Sequence, residues 1–122
     1  MNAEDLKSRT KQFGLRTIKL VEALPPAKTA TMIGNQLLRS GTSVGANYRS
    51  ACRARSKPDF ISKVSISIEE ADESLFWMEL LIEAGIIPPE KLNSLTKEAN
   101  EIIAILTASV KTARSHLTPP AA

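Results

Sequence analysis

Residues that build disulfide scaffolds, sheets and catalytic triads are scarce in this chain. Only one of its 122 residues is a cysteine, Cys52, so no intramolecular bridge can form and stability must come from an apolar core. Aromatic residues make up 4%, which disfavours twisted sheets and leaves a composition rich in good helix formers. The single histidine, His116, falls in the predicted C-terminal tail, so neither a Ser-His-Asp nor a Cys-His arrangement is expected to be assembled inside the fold. No uncharged apolar run reaches the ~18 residues that a bilayer span needs. The first residues do not combine a basic start, an apolar run and a cleavage site. Together with the lone cysteine, these absences give the expectation of a soluble, cytoplasmic protein without a membrane partner. The length suits one domain, expected over residues 1–116, with a disordered tail over 117–122.

Acid is missing from one stretch and crowded into the next. Between Lys28 and Pro58 the charged residues are Lys28, Arg39, Arg49, Arg53, Arg55 and Lys57, with no acid among them. Between Asp59 and Glu90 the acids are opposed only by Lys63. The net charge of +3 therefore conceals two neighbouring segments of opposite sign.

Proline and glycine divide the chain at Leu24–Lys28, Ser56–Phe60 and Ala84–Glu90. Between them lie four helical patterns. Ala3 to Leu24 has a loose apolar period at Leu6, Phe13, Val21 and Leu24. Thr29 to Ala54 repeats Ile33, Leu37, Ser40, Val44, Tyr48 and Ala51 at steps of three and four. The third pattern is the sharpest, an a/d seam of Ile61, Val64, Ile68, Ala71, Leu75, Met78 and Ile82. It is expected to start near residue 57, capped by Ser56 with Pro58 in the first turn, and to stop at Gly85. A fourth runs from Pro89 to about Ser115 through Leu92, Leu95, Ala99, Ile102, Leu106 and Val110. Four such segments with short connections predict an all-α, antiparallel, up-down-up-down four-helix bundle.

The stretch LRSGTSVGANYRSACRARSK, residues 38–57, has two readings. As a phosphate loop it fails, because Ala46 and Asn47 stand where a Lys-Ser/Thr pair must follow the second glycine and no strand precedes it. As a helix, it lines Gly41, Gly45 and Cys52 beside the core face, where small residues let another backbone approach. Arg39, Thr42, Ala46, Arg49 and Arg53 fall on the outward arc. That basic stripe suits phosphate neutralisation. Equally, it can pair with the acids of the third helix.

On that acidic helix, Glu70 and Glu73 form an E-E-x-x-E pattern with Glu69, and Glu98 with Glu101 offers a second pair one turn apart. The pattern resembles the magnesium site of all-α nucleoside triphosphate pyrophosphohydrolases. A di-iron centre lacks its Glu-x-x-His pairs. No metal or cofactor is assigned. Cys52 is taken as a small packing residue. Trp77 lies off the seam with Ile66, Leu80, Leu81 and Ala84 on one side, a second apolar patch expected to form a subunit contact or to pack under a connecting loop.

The string LRSGTSVGANYRSACRARSKPDFISKVSISIEEADESLFWMELL, with RTIKLVEALP before it and ANEIIAILTASVKTAR after, resembles the signature of the bacterial four-helix bundle proteins encoded in intervening sequences of 23S ribosomal RNA genes. The similarity covers roughly residues 5 to 115. It includes Arg39, Ser40, Ser43, Asn47, Tyr48 and Arg49, then Ser56, Asp59, Phe60, Lys63, Glu70, Glu73 and Trp77. The chain departs from it at Ser50, where an acid is frequent, and at Glu69, where lysine is. That family resembles in turn the accessory variability determinant of diversity-generating retroelements, which implies a barrel-like homopentamer that binds nucleic acid and has no enzymatic activity.

The expectation is thus a non-enzymatic, oligomeric bundle that contacts nucleic acid, RNA foremost, with little sequence specificity. Arg39, Arg49, Arg53, Arg55 and Lys57 would carry the contacts and Lys63 would extend them. The alternatives are an assembly or adaptor protein without nucleic-acid binding and the magnesium pyrophosphohydrolase.

Overall fold

The computed structural model describes residues 1–117; the rest of the expected tail, residues 118–122, lies outside the described residues. Four helices follow one another: α1 (Ala3–Glu22), α2 (Lys28–Cys52), α3 (Lys57–Glu83) and α4 (Asn93–Leu117). Their starts follow from local chemistry. The Asn2 side chain accepts the Asp5 amide at 2.8 Å, and Ser56 Oγ accepts the Asp59 amide at 3.2 Å, with Pro58 in the first turn as expected. The stop after α3 depends on Gly85, whose φ of +73° lies in the left-handed region and lets Ile86 N–H return to the Leu81 carbonyl at 2.9 Å. The fourth helix starts later than its apolar period predicts. Pro88 and Pro89 lack backbone N–H groups, so Pro89–Lys91 form a short 3-10 turn before α4 begins at Asn93. His116 belongs to the last turn of α4, not to a tail, and Leu117 closes that helix.

The predicted apolar faces of α2, α3 and α4 point inward: Leu37, Val44, Val64, Met78, Leu92, Ile102 and Leu106 are fully buried. On α1 the period is loose because Thr10 and Thr17 occupy core positions. Each is fully buried, and each hydroxyl donates to its own helix, to the Leu6 and Phe13 carbonyls at 2.9 and 2.8 Å.

Neighbouring helices run antiparallel, as the cross-contacts show. A Cβ at Gly41 would meet Thr17, and one at Gly45 would meet the Thr10 carbonyl, so α2 numbers rise as α1 numbers fall. Between α2 and α3, Ser74 Oγ donates to Ser40 Oγ at 2.9 Å and Ser67 Oγ donates to the Val44 carbonyl at 2.7 Å. The closure between α1 and α4 is the sparsest of the four sides. Polar links span it: Arg9 binds both oxygens of Glu98 at 2.7 Å and Glu101 at 3.3 Å, and Arg16 donates to Ser94 Oγ at 2.8 Å.

Candidate nucleic-acid interface

Helix α2 is continuous through Gly41 and Gly45, so Arg39 and Arg49 stand on one rod, with Arg53 at its C-cap. The two glycines serve the seam with α1. A Cβ at Gly45 would stand 3.2 Å from the Thr10 carbonyl carbon and oxygen, so α1 rides directly on the α2 backbone there. This close approach sets the side chains of the two helices on either side of a shallow groove of about 640 Å³. It receives Arg49 from the last turn of α2 and Arg53 from its C-cap; from α1 it receives Glu4, Lys7, Ser8 and Lys11, with Leu15 and Ile18 further along.

The charges in the groove are unequal in freedom. Arg49, Arg53 and Lys11 are exposed and make no ion pair among the described residues. Lys7 holds Glu4 at 2.7 Å in an open pair whose carboxylate is 82% exposed. Such a pair is worth little and yields readily to a competing anion.

The other predicted contacts go elsewhere. Arg39 leaves the outward stripe: its guanidinium reaches across to α3, binding Glu70 at 3.0 Å and also Glu73. Glu73 accepts the Trp77 indole N–H at 3.0 Å as well. One arginine therefore ties two carboxylates that the sequence presents as metal ligands, and Arg9 does the same to Glu98 and Glu101. The Glu98 hydrogen bond is the main reason the Arg9 proton is held even more firmly than usual. Among the described residues no group of three or more His, Cys, Asp or Glu is placed to hold a metal ion. Lys63 is not free either, since it pairs with Asp59 at 3.2 Å.

Arg55 on the turn between α2 and α3 and Lys57 at the first position of α3 line a second, open cavity of about 890 Å³ at the end of the bundle, with Cys52, Phe60 and His116. Tyr48 faces the same end and is 4% exposed; burial first, then its hydrogen bond with Cys52, pushes its hydroxyl above the ordinary range. It is a core residue, as expected.

The second apolar patch is also redrawn. Leu81 is fully buried in the chain's own core, because α3 turns it toward the Gly85 stop and its carbonyl anchors that turn. Leu80 and Trp77 are half-buried, Ala84 and Ile66 are exposed, and Phe76 joins them at 50% exposure with its ring edge-on to Trp77.

Sequence reasoning missed Lys7 and Lys11. Their i, i+4 spacing puts them on one side of α1, yet only the register that lays Gly45 over Thr10 and Lys11 brings them beside Arg49. Registers between helices are not written in either helix alone.

Four antiparallel helices with a cation-lined groove between the first two, and with Glu70, Glu73, Glu98 and Glu101 tied to arginines, define an all-α four-helix bundle. The chain belongs to the 23S rRNA-intervening sequence protein family, whose family model matches residues 4–108. It is similar to a crystal structure of a protein with unknown function from the S23 ribosomal protein family of Bacteroides thetaiotaomicron VPI-5482. The two are 36% identical, with a TM-score of 0.85 over 91% of this chain and 99% of that one. No curated protein shows significant similarity to the chain.

Proposed function

We propose that this protein is a non-enzymatic bundle that binds RNA through the α1–α2 groove, by phosphate neutralisation and with little base reading. One observation carries the reading: Arg49 and Arg53, exposed and without ion-pair partners among the described residues, face the same groove as Lys7 and Lys11. Four cations converging from two helices neutralise phosphates and release their counterions, which gives an affinity that falls steeply with salt. The name of the matched family, which refers to a ribosomal RNA intervening sequence, supports RNA as the polyanion. Arg55 and Lys57 add positive potential at the bundle end, while Arg39 and Lys63, already paired, contribute less.

The test is charge reversal. Arg49→Glu with Arg53→Glu is expected to abolish salt-dependent RNA binding in an electrophoretic or fluorescence assay while helix content by circular dichroism stays unchanged. Full affinity in the folded double variant would overturn the reading. Arg55→Glu with Lys57→Glu should cause a smaller loss.

Self-association belongs to the same proposal. The outer side of α3 carries Ile66, Phe76, Trp77 and Leu80 near Ala84, an apolar and aromatic patch suited to a subunit contact, with a pentamer as the proposed assembly. Light scattering should give a mass near five chains, and Phe76→Ser should lower it; a monomer at micromolar concentration would dismiss this part.

A further inference from the structure

We infer that the groove takes a nucleic-acid duplex in preference to a single strand, an inference that rests on the proposed RNA-binding function. Lys7 and Lys11 stand one helical turn apart on α1, about 6 Å along its axis, and Arg49 on the last turn of α2 is followed by Arg53 at its C-cap. The two rods are fixed against each other by the approach of Gly45 to the Thr10 backbone and of Gly41 to Thr17. The result is two pairs of cations carried on backbones that pack directly against each other. A duplex presents phosphates on two strands in a fixed lattice and matches such an array without being ordered first.

A single strand must be ordered as it binds, and proteins that bind single strands offset this cost by stacking bases on aromatic rings. This groove has none to offer. Of the five aromatic residues in the chain, Phe13 and Tyr48 are buried and Phe60 lines the cavity at the bundle end. Phe76 and Trp77 lie on α3 beside Glu73. The groove floor is Gly14, Gly45, Ala46, Leu15 and Ile18, which offers no ring to a base.

The experiment titrates the whole protein with an RNA duplex of about 16 base pairs, a DNA duplex of the same sequence, and each separated strand, across a salt series. At least one duplex is expected to bind about tenfold tighter than its separated strands. Preference for RNA over DNA would identify A-form geometry as the feature recognised, and equal binding would identify phosphate charge alone. In Arg49→Gln with Arg53→Gln, the slope of log affinity against log salt should flatten by roughly 0.9 for each lost phosphate contact. Single strands that bind as tightly as the duplexes would overturn this inference and leave the groove reading standing. Failure of every probe to bind at low salt would overturn both.

Discussion

Gly41 shows how much of the molecule hangs on one missing methyl group. A Cβ there would lie 2.6 to 2.9 Å from three atoms of Thr17, including its own Cβ, which cannot rotate out of the way. Replacing glycine by alanine inside a helix normally gains about 1 kcal/mol. Overpacking costs typically 1–3 kcal/mol, and here it also threatens the bond from Thr17 Oγ1 to the Phe13 carbonyl. The clash wins, so Gly41→Ala is expected to lower stability by about 1–2 kcal/mol in chemical denaturation. A stabilised variant would mean that α1 can withdraw from α2 at little cost. The sequence exposes this residue as one of two glycines four apart on a helical face, and the inference of close backbone approach is correct. Which helix approaches, and at which residue, depends on a register that only the packed structure supplies.

At the scale of elements, the α1–α4 side is held differently from the others. The α2–α3 side buries serines that bond across it, and α1–α2 is locked by glycine, whereas α1 and α4, beside their shared apolar core, are joined by hydrogen bonds of Arg9 to Glu98 and Glu101 and of Arg16 to Ser94. Arg9 and Glu98 have side chains 23% and 18% exposed and are joined by two parallel bonds, a geometry worth more than an open surface pair. Arg9→Met removes one partner and leaves Glu98 sparsely solvated, at an expected cost of about 1–2 kcal/mol. Hydrogen exchange should quicken in α1 and α4 before α2 and α3; uniform protection would show that this side needs no polar clasp. The helices themselves were legible from period and capping residues, most plainly in α3, where Ser56, Pro58 and Gly85 mark both ends. The start of α4 was not, because the apolar period continues through Leu92 while two prolines deny the backbone its donors. Pairing between the α2 arginines and the α3 acids was one of two open readings, but which arginine takes it was not legible, for a related reason. Arg39 fits an outward stripe on α2 alone, and only the proximity of Glu70 and Glu73 turns it sideways.

For the whole molecule, charge is sorted by side: cations gather along α1–α2 and at the adjoining end of the bundle, while Glu69, Asp72, Glu79 and Glu83 lie exposed on α3. This sorting was readable as two segments of opposite sign; the groove between α1 and α2 was not. Global stability also has an alkaline limit set by Tyr48. Its hydroxyl is held protonated in the fold above the ordinary value of about 10, so its stabilising contribution is complete below that pH. Above it the unfolded chain releases a proton that the native one keeps. Stability is then lost by about 1.4 kcal/mol per pH unit until the folded hydroxyl ionises too. Tyr48→Phe should show a shallower alkaline decline in melting temperature, and parallel curves would refute the assignment. As Tyr48 is the sole tyrosine, its ultraviolet titration reads this one group directly. The hydroxyls between α2 and α3 have a consequence of another kind. Ser67 reaches the Val44 carbonyl and Ser74 reaches Ser40, all fully buried, so sliding one rod past the other by a turn would part both bonds and strand the Ser67 hydroxyl at about 1–3 kcal/mol, while Ser74 and Ser40 would keep only the Glu70 and Leu37 carbonyls of their own helices. They act as the teeth of a ratchet, admitting a single axial setting where oily side chains alone would tolerate several.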